Sequence, residues 1–510
     1  MKTNGIKILV ASWLLVFAGA CSDDLNLAPV SSISDASFWK TSEQFDAFVT
    51  GLHARFRSHN SSFQTLGEMR ADIFGTDPSS SSAFTGEAPQ SYERLWTQNL
   101  DLDNPGVSNF GGFYSNIVQI NLLIQKLNTT GVISQDNKSY YLGIAYGMRA
   151  YYYFHLVRSW GSVIIQTEPF LSFDIADLAK PASTEEEVMQ LIKSDIENSL
   201  NNFGSDYSLR NSKSFWSKPA TLMLKAEVFL WTSYRGGGTT DAATAKTALT
   251  DIQANVPALA LHPNFADVFS IGHRGNQEII FAIRYLNAEA GMGFITNFIP
   301  QPGLIVNFYD SVGNRKFSLP EDNWGGLLRS PTKISTFRAF DDADTRKWAT
   351  IQPAYNLVGG NYIIAGAFNR KYHGEQVAGA RIQTNDYPVY RYADLLLLLA
   401  EAKIILAENP ASEINEVRER AFAGAYDESV HGFPNQSIDT DPLEAVLQER
   451  FYEFIMEGKR WYDLRRMGDS FVYAHTSLTA SESYKLLWPI DRNSLTNNRA
   501  LKQNPGYASF

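Results

Sequence analysis

Asp-Pro-Leu-Glu-Ala-Val-Leu-Gln-Glu-Arg-Phe-Tyr-Glu-Phe-Ile-Met-Glu-Gly-Lys-Arg-Trp-Tyr-Asp-Leu-Arg-Arg, residues 441–466, is the stretch from which the rest of the chain is read. Asp441 is a suitable helix N-cap, Pro442 fits the first helical position, and Glu444 suits the positive end of the helix dipole. Leu443, Val446, Leu447, Phe451, Phe454 and Ile455 recur three and four apart, which predicts a helix with one apolar face. The other positions carry Glu449, Arg450, Glu453, Glu457, Arg460, Asp463, Arg465 and Arg466. So many charges beside so many aromatics point to a helix docked in a core and tied by ion pairs. Glu453 and Glu457 stand one turn apart, whereas paired glycosidase carboxylates need a sugar between them, at about 5–9.5 Å. The stretch therefore reads as scaffold, with Glu449, Arg450, Glu453, Glu457 and Arg460 holding helices together.

At the other end, Lys2 and Lys7 precede a mostly apolar run from Ile8 to Ala20 that ends in small residues. This is the pattern of a secretory signal, too short to span a bilayer at about 20 residues per crossing. Ala18-Gly19-Ala20-Cys21 follows, and Cys21 is the only cysteine of 510 residues, so no internal disulfide exists. The segment resembles a bacterial lipobox, with Ala18 in place of the usual Leu, and Cys21 is expected to become the lipidated N-terminus. Removing residues 1–20, which hold two lysines and no acid, moves the net charge from −10 to −12. Such a chain has no electrostatic footprint for nucleic acid.

Between these ends the helical pattern is interrupted. A helix is expected from about Ser42 to Arg57. Residues 60–109 are rich in Ser, Asn, Gly and Asp, yet contain Phe63, Phe74, Phe84, Tyr92 and Trp96. Long irregular segments with aromatics are where function is sought. From Phe113 to about Trp231 helices return, including Tyr140–Trp160, one capped by Ser183 or Thr184, and one opened by Lys218-Pro219. Arg149–Phe154, Lys225–Leu230 and Glu401–Leu406 share a charge-Ala-x-apolar pattern of the kind found in helix-pair repeats. Gly236-Gly237-Gly238 reads as a flexible break opening a long interruption, residues 233–385. It contains a strand-like run at Ile279–Ile283 and a second set of aromatics, Tyr285, Phe294, Phe298, Phe308, Tyr309, Trp324 and Tyr355. Asp341–Arg346 is read as an Asp–Arg pair holding a loop, in preference to a cation site. The five-leucine helix after Tyr392 is apolar on all sides, hence buried.

Glu449-Arg450-x-x-Glu453-Phe454-x-x-Glu457-Gly458-x-Arg460-x-Tyr462-Asp463-Leu464-Arg465-Arg466 resembles the C-terminal signature of the SusD/RagB family. Arg149–Gly161, Asn276–Ile283, Tyr387–Asp394, Ile414–Ala421 and the tail from Leu487 to Tyr507 resemble further landmarks in the same order, and Ser22-Asp23-Asp24 after Cys21 resembles a surface-export signal of Bacteroidetes lipoproteins. The resemblance implies a mainly α fold, an irregular tetratricopeptide-like helical array with long aromatic-rich loop insertions and a few short strands. It also implies a division into a signal peptide (1–20), an N-terminal half (21–232, insertion 60–109) and a C-terminal half (233–510, insertion 233–385, scaffold helices 387–467). The implied role is a lipid-anchored outer-membrane protein facing the extracellular side. It would bind a nutrient glycan, or in the RagB-like alternative a peptide, and act as lid to a SusC-like TonB-dependent transporter.

The sequence has no Gly-x-Ser-x-Gly elbow, His-Glu-x-x-His, phosphate-cradling loop or dinucleotide fingerprint. Asp101-x-Asp103 fails as a calcium loop, because Pro105 and Gly112 stand where ligands belong. No cofactor, metal or catalytic residue is expected, and a secreted glycan-degrading enzyme is the remote alternative. Ligand contacts are expected from Phe74, Tyr92, Trp96, Phe294 and Trp324, with Asp72 as a polar partner, because aromatic rings stack on sugar faces. At least one exposed Trp or Tyr of 60–109 is expected near one from 285–330.

Overall fold

The computed structural model describes residues 38–76, 84, 91–107, 110–169 and 179–509. The leader 1–20 and Cys21 lie outside the described residues. Among those described, no helix is long and apolar enough to cross a membrane.

The first long helices are α1 (Ser42–Ser58), α2 (Asn60–Glu68), α3 (Phe110–Thr129), α4 (Gln135–Trp160), α5 (Glu185–Phe203), α6 (Lys218–Thr232) and α7 (Gly238–Asn255). Thr184 and Glu187 cap α5 reciprocally, and Ser217 with Pro219 starts α6. α4 packs along α3 and α5, and α6 along α7. Close approach needs small residues. A Cβ on Gly143 of α4 would stand 2.9 Å from the Phe203 ring, and one on Gly147 would stand 2.2 Å from Trp216 Nε1. Arg149, buried in the same helix, donates Nε and Nη2 to the Asp195 carboxylate of α5, both at 2.7 Å. At Arg149 the charged position of the shared motif thus ties two paired helices together.

Two expectations change here. Residues 60–109 begin with a regular helix, α2. The interruption expected from 233 begins later, because 238–255 is a helix packed on α6 and on α9 (Tyr392–Ile405). Its buried face is Ala242, Ala245, Ala248, Leu249 and Ile252, so alanine weakens the periodic signal. The glycine triplet is the junction of two paired helices.

The strands are few. β1 (Ile279–Ile283) pairs antiparallel with β8 (Tyr387–Arg391); β2 (Tyr309–Asp310), β3 (Arg315–Lys316), β4 (Ile351–Val358) and β5 (Asn361–Asn369) form one sheet in the order β3-β2-β4-β5; β6 (Glu375–Val377) and β7 (Ala380–Ile382) make a hairpin. Of the C-terminal helices, those that carry the ion pairs are α8 (Thr345–Thr350), α9, α10 (Ala411–Phe422), α11 (Pro442–Phe454) and α12 (Arg460–Met467).

The single helix expected over 441–466 is two. Asp441 caps the first as anticipated, but the chain turns at Ile455–Lys459, with Met456 at φ 69° and Gly458 at φ 68°. Glu68 of α2 holds that turn: Oε1 accepts the Met456 N–H at 2.6 Å, and Oε2 accepts Gly458 N–H at 3.3 Å and Gln64 Nε2 at 3.1 Å. Burial nevertheless wins over these donors and raises the Glu68 carboxyl from about 4.5 to about 7. A folded value above the unfolded one means stability that is full below about pH 4.5 and is lost as pH rises through 7. Glu68→Gln is expected to flatten stability between pH 5 and 8 and to raise it at pH 8 relative to the parent. The new amide can donate to Gln64 Oε1, which has no partner. Urea midpoints at both pH values check this; an unchanged slope would sink it.

The charged positions of α11 and α12 face inward. Arg391, at the end of β8, bridges Glu278, Glu453 and Glu457 at 2.6, 2.6 and 2.8 Å. Lys371 reaches Glu457 at 2.8 Å, and Arg420 meets Glu278 at 3.0 Å and also Glu453. Arg346 of α8 joins Asp344, Glu449 and Glu453 at 2.7, 2.6 and 3.0 Å, so the Asp341–Arg346 stretch is an Asp–Arg pair. A second cluster links Arg450 to Asp394 and Asp463, Lys459 to Asp394, and Arg466 to Asp463 and Glu401. Burial opposes ionisation of Glu453, but Arg420, Arg391 and Arg346 outweigh it and hold the carboxyl far below the usual range. Burial of Glu457 is likewise outweighed, by Arg391 and Lys371, so neither Glu453 nor Glu457 has a proton to give near neutral pH.

Candidate functional site

The insertion that starts after α1 folds back on itself. Residues 91–106 turn over the face of α2 and leave a cleft of about 460 Å³ lined by Ser61, Ser62, Thr65, Ser91, Tyr92, Arg94, Asn104 and their neighbours. Ser61 and Thr65 are one helical turn apart and so face the cleft together. The opposite wall is ordered by Asp101, whose Oδ1 accepts the backbone N–H groups of Asp103 and Asn104 at 2.8 and 2.7 Å. This is an Asx-type turn, and it accounts for the acidic residues without a cation. Arg94 lies 3.6 Å from Asp101 and donates to the Asn99 carbonyl at 3.3 Å. Asp103 pairs with Arg492 of the C-terminal tail at 2.5 Å.

Tyr92 is half-buried at this cleft. Burial raises its phenol above the usual value, with Arg329 acting the other way. Its hydroxyl accepts the Asn297 amide at 3.0 Å, and the same amide reaches the Phe294 carbonyl at 3.2 Å. Tyr92 and Phe294, from the two insertions, therefore meet around Asn297. The hydroxyls of Ser61, Thr65 and Ser91 make no hydrogen bond to other described residues, which leaves three donor–acceptor groups beside the ring.

The other expected contacts divide. Trp96 is half-buried, one turn from Tyr92, and covers Gly75, where a Cβ would stand 2.9 Å from its ring. Phe74 is fully buried against Phe298, ring centroids 5.0 Å apart. Trp324 is buried between Phe368 and the Arg381 guanidinium. Neither presents a ring face to a ligand, because Phe74 packs between the two insertions and Trp324 packs inside the second. Asp72 is bound to Arg460 by two hydrogen bonds, at 3.0 and 2.8 Å, so its carboxylate serves the scaffold. The insertions come together as anticipated, but through a buried Phe74–Phe298 pair and a Tyr92–Asn297 bond in place of two exposed Trp or Tyr rings. Ser61, Thr65, Ser91, Arg94 and Asn104 were not singled out from sequence. Small polar residues carry no local signal, and only the fold of 91–106 over α2 assembles them.

A second cleft, about 470 Å³, lies between α1, residues 211–215 and the end of β1. Its ring and charged groups are already committed. His53 donates Nδ1–H to the Val49 carbonyl at 2.9 Å and accepts the Trp216 N–H on Nε2 at 3.0 Å, and burial lowers its pKa to about 4. Arg57 pairs with Glu289 at 2.7 Å, and Arg284 with Asp386 at 3.0 Å.

Comparison with known proteins agrees with this architecture. A family model described as "SusD family" matches residues 341–507, and one described as "Starch-binding associating with outer membrane" matches residues 29–230. The structure of B. fragilis NanU is 45% identical with a TM-score of 0.87, covering 94% of this chain and 100% of that one. A SusD superfamily protein from Bacteroides vulgatus is 39% identical with a TM-score of 0.84, covering 92% and 100%. SusD-like protein P38 of Formosa agariphila is 29% identical over 99% of both chains.

Proposed function

Because the chain belongs to the SusD family, we propose that it is a lipid-anchored surface protein that captures a nutrient glycan and delivers it to a SusC-like TonB-dependent transporter, over which it acts as a lid. The family's N-terminal model is described as starch-binding and associated with the outer membrane, which supports the ligand class and the compartment. Cys21 would carry the anchor. The observation that carries the reading is the cleft at Tyr92. A half-buried ring with free Ser61, Thr65 and Ser91 hydroxyls, and with Arg94 and Asn104 at the rim, offers what a pyranose needs: an apolar face for its C–H face and polar groups at the side for its hydroxyls. Sharing one membrane with the transporter raises effective concentration, so modest affinity suffices.

No chemical step is part of this role. A glycan array followed by calorimetry on the hit tests it. Tyr92→Ala is expected to weaken binding by about tenfold, the order of one lost ring contact, and to lower the thermal midpoint as well, because it removes the Asn297 bond; Ser61→Ala should weaken binding with the midpoint unchanged. New reducing ends appearing during incubation, or binding indifferent to Tyr92, Ser61 and Arg94 substitutions, would overturn it.

A further inference from the structure

The loop between α7 and β1 turns twice, at Phe265–Phe269 and Ile271–His273, and brings His262, Asp267 and His273 together. One ring nitrogen of each histidine and one Asp267 carboxylate oxygen all lie within 4.8 Å of one another. The two imidazole rings are 5.4 Å apart, and His273 Nδ1 stands 3.8 Å from Asp267 Oδ1. We propose that these three side chains bind one divalent transition-metal ion of the zinc type.

The donor set argues the class. Two imidazoles and one carboxylate suit zinc and its neighbours, with water in the fourth position, whereas calcium and magnesium want oxygen alone. Metal–ligand bonds of about 2.0–2.2 Å place tetrahedral ligand atoms roughly 3.3 Å apart, so the triangle must tighten. It has room to do so, because the side chains of His273 and Asp267 are 50% and 35% exposed and can rotate. The His262 ring is oriented from behind, and the His273 ring is held at Nδ1, the nitrogen nearer Asp267, so that Nε2 is left as its ligand atom. His262 Nδ1 lies 2.9 Å from the Asn264 carbonyl, and donation there leaves Nε2 as the ligand; the Asn264 N–H, at 3.3 Å from the same nitrogen, is the weaker competitor. His273 Nδ1 lies 2.7 Å from Ser270 Oγ. Such outer hydrogen bonds fix tautomer and ring plane in metal sites.

A bound ion would fasten residue 262 to residue 273 across a loop whose two phenylalanines cover the buried charges. Lys371 Nζ sits 4.5 Å over the Phe269 ring, and the Arg420 guanidinium 5.1 Å over Phe265. The ion is thus a clip on the cover of the scaffold's largest ion cluster, independent of the glycan cleft.

The test is calorimetric titration of the purified full-length chain, stripped with chelator, with zinc chloride, and cobalt chloride with visible absorption as the second probe. One ion per chain is expected, insensitive to excess magnesium or calcium, with zinc raising the thermal midpoint. His262→Ala and His273→Ala should each weaken binding roughly tenfold or more, while their metal-free midpoints stay with that of the metal-free parent. Absence of saturable zinc binding, or binding unaltered in both histidine variants, would overturn the assignment.

Discussion

Arg391→Leu is expected to leave a protein that is unfolded or nearly so under conditions where the parent is stable. All five guanidinium N–H groups of Arg391 are used: Nε on Glu457, Nη1 on Glu278 and Glu453, Nη2 on the Glu453 carbonyl and Glu457. The residue is 0% exposed, as are the three glutamates' side chains. Leucine removes one cation and leaves those carboxylates with only Arg346, Lys371 and Arg420. Breaking a buried pair by removing one partner costs about 3–5 kcal/mol, and here three carboxylates lose the same partner. The surface pair Lys246–Glu408, exposed by 33% and 40%, gives the contrast: Lys246→Ala should stay within about 0.5 kcal/mol. Urea unfolding of both decides the matter, and equal midpoints would refute the weight given to the cluster. The same physics sets the acid limit. Burial raises Asp394, but Lys459 and Arg450 outweigh it and bring it to about 2. A depressed carboxyl stabilises above its unfolded value and loses that contribution as pH falls toward 2, so the parent should unfold in acid over that window.

The scaffold was legible because charge and periodicity are local signals. Glu449, Arg450, Glu453, Glu457 and Arg460 were each assigned to ion pairs, and each has a partner. The partners were not legible, because Glu278, Arg346, Lys371 and Arg391 lie 60 to 180 residues away in a strand end, turns and one short helix. Nor was the break at Ile455–Lys459. Gly458 alone is a weak stop signal inside a helical pattern, and a non-glycine residue at positive φ, Met456, is set by tertiary contacts with Glu68.

Within the insertions, aromatic content does not separate a ring that lines a cleft from one that packs inside. Tyr92 and Phe294 meet around one asparagine; Phe74 packs between the two insertions and Trp324 inside the second. Sequence cannot separate these cases, because a ring that closes an insertion onto a core and a ring that receives a ligand sit in the same kind of loop. The difference is made by long-range contacts such as Phe74–Phe298 and Trp324–Phe368.

Gly67→Ala is expected to be the second most damaging change, although it adds one methyl group. A Cβ at Gly67, on the inner face of α2, would stand 1.7 Å from the Gly458 carbonyl oxygen and 2.6 Å from its carbon. Both are backbone atoms, so no rotamer change relieves the clash and the turn must move by more than an ångström. That turn carries Glu457 and Lys459, which bond Arg391, Lys371 and Asp394 at 2.7 to 2.8 Å. Overpacking in a core costs about 1–3 kcal/mol when side chains can adjust; here the shift is passed into two charge clusters whose bonds tolerate little of it, and a loss above about 3 kcal/mol is expected. Gly51→Ala on α1 is the matched control. Its added Cβ meets nothing within 4 Å, and it should stabilise by about 0.4–1 kcal/mol through the unfolded chain alone. Thermal midpoints that move in opposite directions for these two glycines would establish that the α2–turn contact, and not helix propensity, governs position 67. If Gly67→Ala instead melts with the parent, α2 does not press on the turn and the coupling from Glu68 to Arg391 is lost with it.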